Sequence, residues 1–117
     1  MAIPSGAGTE VLKRNVAKRT DANEITLLTG VANHIYTILS VVITETSGNA
    51  ETIGMYLDPS AAGTNYEIIA IDTPLGGNGT FVWNDRLVMT GTDQLHFKAG
   101  GTCTIDITTS YIDQDWT

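Results

Sequence analysis

From residue 24 onward, apolar and polar positions alternate with a period of two, and Gly, Pro, Asn and Asp interrupt the alternation at short intervals. The pattern predicts strands over 24–29, 35–46, 52–57, 66–71, 80–83, 86–89, 94–98 and 102–112. The clearest alternation lies in the last of these. Cys103, Ile105, Ile107, Thr109 and Tyr111 fall on one face, and Thr104, Asp106, Thr108 and Ser110 on the other. The strand at 35–46 is the most β-branched. It sets Thr37, Leu39, Val41 and Ile43 on one face and Ile38, Ser40 and Val42 on the other. Both faces are largely apolar at its centre, which predicts a central strand buried on both sides. Turns are expected at 47–49, 58–60, 63–65, 84–85, 91–93 and 99–101, and a glycine-rich loop at 74–79.

About eight short strands, with turn signals roughly every 8–12 residues and no competing helical period, indicate an all-β fold. The expected architecture is an antiparallel β-sandwich of jelly-roll type. Gly-Thr recurs at 63–64, 79–80, 91–92 and 101–102, but at unequal spacing, so it punctuates turns and marks no repeat.

The pattern changes before residue 24. Val11, Leu12 and Val16 are scattered among polar and basic residues, and any helical turn there would be marginal alone. Residues 1–23 are therefore expected to form an extended N-terminal arm, with the β-sandwich domain at 24–117. A chain of 117 residues suits one domain.

Charge sharpens this division. The formal net charge is −7. Lys13, Arg14, Lys18 and Arg19 lie in the arm against Glu10 and Asp21, whereas only Arg86 and Lys98 offset the acids of the body. An acidic body repels nucleic acid and anionic membrane, so neither is an expected partner. No segment is apolar for long enough to span a membrane as a helix. Met1, Ala2 and Ile3 begin no basic-then-apolar leader, so a secretory signal is not expected and synthesis in a cytosol is.

Candidate chemistry is sparse. His34 and His96 have no metal-ligand spacing, and Cys103 alternates with core-facing isoleucines, as a buried inert thiol would. Asp113 and Asp115, like Asn84 and Asp85, lack a calcium-loop pattern. The glycines at 76–79 are not succeeded by the Lys-Ser/Thr pair and helix of a phosphate-binding loop. No catalytic residue, metal site or cofactor is expected, and the chain is not read as an enzyme. Of the aromatics, Trp116 stands apart beside the C-terminus, a candidate for contact with another subunit.

The run Ile35-Tyr36-Thr37-Ile38-Leu39-Ser40-Val41-Val42-Ile43, then residues 51–57, Thr64-Asn65-Tyr66, Leu87-Val88-Met89, Gly91-Thr92-Asp93-Gln94-Leu95 and Ser110-Tyr111 resembles small β-sandwich structural proteins of tailed bacteriophages. The likeness covers about residues 33–112. It departs in one place, where Thr37 runs straight into Ile38 without the proline-glycine turn often found there. The resemblance implies a capsid decoration (cement) protein. Such a protein is made in the host cytoplasm, sits on the virion surface, is often a homotrimer, and bridges subunits of the major capsid protein. The basic residues of the arm, Lys13, Arg14, Lys18 and Arg19, are then the expected capsid contacts. A tail, collar or fibre-adaptor subunit and a lectin-like, carbohydrate-binding jelly roll are the alternatives.

Overall fold

The computed structural model describes residues 8–116, which form nine strands in two antiparallel sheets. These are β1 (Thr9–Arg19), β2 (Ile25–Thr29), β3 (His34–Glu45), β4 (Glu51–Asp58), β5 (Tyr66–Leu75), β6 (Thr80–Trp83), β7 (Leu87–Thr90), β8 (Gln94–Ala99) and β9 (Ile105–Asp115). A 3₁₀ turn, Pro59–Ala61, follows β4. The first sheet has the order β1-β9-β3, with both β6 and β7 on the far side of β3; the second has the order β2-β8-β4-β5. β6 pairs with residues 41–44 of β3 and β7 with residues 35–38, so the two make one column broken at residues 84–86. Each sheet thus has four columns. The chain changes sheet at every connection except the β4–β5 hairpin and the β6–β7 break, which is the jelly-roll winding expected from the strand count.

The core lies between the sheets. Ile38, Val41, Ile43, Ile105 and Ile107 point inward from the first and meet Ile53, Met55, Leu95 and Phe97 from the second. Burying such branched and aromatic side chains, each worth about 1.5–3 kcal/mol, is what drives the sandwich together.

Three expectations change. The described part of the segment read as an arm is not free. Thr9–Arg19 pairs with β9 over its whole length, so the sandwich begins at residue 9; residues 1–7 and the reading of their leader lie outside the described residues. An edge strand tolerates charge, and the four bases hide its alternation. Second, β3 carries a bulge between Ile38 and Ser40. The extra residue reverses the parity, so Ile38 faces the core together with Val41 and Ile43. Third, β3 is central but buried on one face only. A two-layer sandwich has no third layer to cover its other side, and Thr37 and Val42 remain half-buried there.

β5 also runs on to Leu75, past the predicted end at 71, and carries Pro74 within it. β5 is an edge, where a missing N–H breaks no ladder.

Candidate interaction surface

The alternation of β1 divides its four bases between two faces. Lys13 lies opposite Tyr111 and Arg19 opposite Ile105, on the core side; Arg14 lies opposite Ser110 and Lys18 opposite Asp106, on the outer side. Three of the four are engaged within the chain. Lys13 Nζ donates to Asp113 Oδ2 at 2.8 Å, Lys18 Nζ to Asp106 Oδ1 at 2.5 Å, and an Arg19 guanidinium nitrogen to Asp21 Oδ1 at 2.5 Å. Arg14 is exposed and makes no ion pair among the described residues. The structure thus spreads the four bases along one sheet edge and, among the described residues, leaves only Arg14 without an ion pair.

The Lys13 bond belongs to a network at the end of the first sheet. Asp113 is buried, and its Oδ1 lies 2.7 Å from His34 Nδ1, while His34 Nε2 lies 3.4 Å from Asp115 Oδ1. Burial pushes the Asp113 carboxyl up, but the hydrogen bonds from Lys13 and His34 outweigh it and hold Asp113 below the usual carboxylate range. The Asp113 bond in turn raises Lys13. Lys13 and Asp113 are 100 positions apart, so no local motif announces the pair.

Glu45 is a second carboxylate that local pattern does not single out. It is 1% exposed at the end of β3 and accepts from Ser47 N at 2.8 Å, Gly48 N at 2.9 Å, Asn78 N at 2.9 Å and the Ser47 hydroxyl. One side chain therefore ties together the two loops at that end of the sandwich. On the outer face of the second sheet, Tyr56 and His96 are also buried. The Tyr56 hydroxyl donates to Glu24, His96 Nδ1 lies 3.1 Å from Thr26 Oγ1, and the 3₁₀ turn lies against β8. Burial first, and the Glu24 bond second, raise the Tyr56 hydroxyl well above its usual range. Among the described residues no cluster of His, Cys, Asp and Glu forms a metal-holding group.

Trp116 is half-buried within its own chain. Its backbone N–H donates to Asn33 O at 3.0 Å, and its ring occupies space that Gly8 leaves by lacking a Cβ, which would lie 2.9 Å from the ring. Cys103 packs on the core, with Sγ 3.6 Å from Arg19 O. Burial raises its thiol, and Glu51 adds to the effect, so the reactive thiolate is disfavoured. A thiol reagent is therefore expected to label Cys103 slowly in the native protein and quickly in denaturant. Equal rates, followed by absorbance, would place the sulfur at the surface.

No protein-family model and no curated relative matches the sequence. Solved structures do match. A chain of the T13 particle of infectious bursal disease virus is similar over 92% of this chain, with a TM-score of 0.61 and 12% identity. This chain spans 31% of that viral chain's length, so the likeness is to one part of a larger protein. A chain of the acid-stable capsid of the Helicobacter pylori bacteriophage KHP30 is similar over 95% of both chains, with a TM-score of 0.56 and 8% identity. A chain of the Bacillus endospore appendages, which are disulfide-linked pili, is similar over 100% of this chain and 97% of its own, with a TM-score of 0.59 and 11% identity. The fold is thus the all-β sandwich found in viral capsid chains.

Proposed function

We propose that this chain is a structural protein of a phage virion, a capsid decoration (cement) protein that binds the head shell and bridges major capsid subunits. The match to a chain of the KHP30 capsid carries the reading, because the likeness covers 95% of both chains. The sequence resemblance and the fold both favour a virion structural protein. The role is mechanical. Each copy spans a seam between capsid subunits, and its added interface raises the free energy needed to open the shell. Among the described residues Arg14 is the unpaired base of the β1 edge and Lys13, Lys18 and Arg19 flank it, so this edge is the side offered to the shell. The resemblance implies a homotrimer for such a protein; a mass of three chains in solution would support it, and a mass of two would replace it.

The pilus match over both full lengths favours a second reading, a subunit of an extended assembly such as a tail or fibre adaptor. Co-sedimentation with expanded heads and, separately, with purified tails of the source phage divides the two. The cement reading expects the chain in the head pellet only, with Arg14→Glu lowering binding about tenfold. Recovery with tails alone, or with neither, would end it.

A further inference from the structure

The register places two apolar rows across the outer face of the first sheet. Leu12, Ile112, Thr37 and Val88 lie side by side, as do Val16, Thr108, Val42 and Val82. Four of these side chains are strongly exposed: Leu12 at 74%, Val16 at 66%, Val82 and Val88 at 52% each. The charged residues on the face are Glu10, Arg14, Lys18 and Asp106, with Asp85 and Arg86 at the break between β6 and β7, three acids and three bases, so the face is neutral on a chain of net charge −7. A second copy of an acidic chain is repelled from its other surfaces but not from this one.

We infer that this face is an interface between two copies of the chain, packed sheet on sheet about a two-fold axis parallel to the strands. That operation keeps each row and reverses the columns. β1 of one copy then lies over β6 and β7 of the other, and β9 over β3. Leu12 meets Val88, Val16 meets Val82, and Ile112 meets Thr37, each contact occurring twice, as an isologous interface requires. Arg14 lies over Asn84, Asp85 and Arg86, at the open break between the strands. Four columns at about 4.8 Å and eleven residues at about 3.4 Å give about 700 Å² on each copy. Stable pairs bury about 800 Å² per partner with a spread of about 200 Å² either way, and this footprint falls in the lower half of that range. Pairing through the free edge of β1 is disfavoured by Lys13, Arg14, Lys18 and Arg19, which is how edge strands resist addition of another strand. The contact is therefore through the face.

The inference does not rest on the capsid reading, its two-chain mass competes with the homotrimer that the resemblance implies, and it is tested on the full chain alone. Sedimentation equilibrium should give a mass of two chains that falls to one on dilution. Val88→Asp brings a carboxylate from each copy into the seam and raises the dissociation constant about a hundredfold. Tyr66→Asp, at an exposed position of the second sheet, leaves it unchanged. Circular dichroism of both variants should match that of the parent, and Val82→Asp repeats the measurement at the other row. A single-chain mass at every concentration, a mass of three chains, or a two-chain mass that neither seam variant alters would overturn the two-fold face.

Discussion

Removing residues 1–20 should leave a chain that no longer unfolds cooperatively. Were these residues a detached arm, truncation would leave the body intact. In the structure they carry β1, which pairs with β9 from Thr9 to Arg19. Its loss opens a new edge along β9 and removes Ala17 from the side of the core. It also removes the Asn15 Nδ2 bond to Leu27 O, a 2.6 Å link from the first sheet to the second. Asp113 loses Lys13 and becomes a buried carboxylate with one fewer donor. Domains of this size are held by only about 5–15 kcal/mol, so a deletion on this scale is comparable with the whole stability. Thermal unfolding followed by circular dichroism checks it. A truncated chain melting cooperatively within about 5 °C of the full chain would show that β1 is dispensable.

Glu45→Gln should lower the melting temperature by roughly 5–10 °C at neutral pH. Glutamine keeps the shape but offers one carbonyl oxygen in place of a carboxylate accepting from Ser47, Gly48 and Asn78. Those hydrogen bonds lower the Glu45 carboxyl from 4.5 to about 2, the Ser47 side chain contributing most. A carboxyl lowered by folding stabilises above its unfolded value, and that stabilisation fades as pH falls through the folded value. The parent should therefore lose stability from about pH 4.5 down to about pH 2, with Asp113 adding to the loss in the same direction. The variant should start lower and lose less over that window. Parallel pH profiles for the two proteins would mean that Glu45 does not tie the loops.

Much of the fold is legible in the sequence because its signals are local. Alternation over 102–112 correctly faced Ile105, Ile107 and Thr109 inward, since side chains of a strand alternate whatever lies beside it. The bulge at Leu39 escaped because an inserted residue is defined by the partner strand it fails to match, and β9 lies far away in the chain. The strand at 9–19 escaped for a related reason. An edge strand shows its charges to solvent, so its sequence carries little trace of burial. Of the site residues, the basic cluster was visible as a cluster. Its division, among the described residues, into three paired bases and one unpaired one depends on Asp113, Asp106 and Asp21.

The sequence by itself determined an all-β chain of short strands, an acidic body with a basic N-terminal stretch, and few groups suited to catalysis. Each of these comes from neighbouring residues or from simple sums along the chain. Only the tertiary structure decided that the basic stretch is the edge of a sheet, that Asp113 and Glu45 are buried acceptors, and that Leu12, Val16, Val82 and Val88 share one neutral face. Those facts depend on register between strands distant in sequence. Register is set by the joint burial of both sheets, which no single segment encodes.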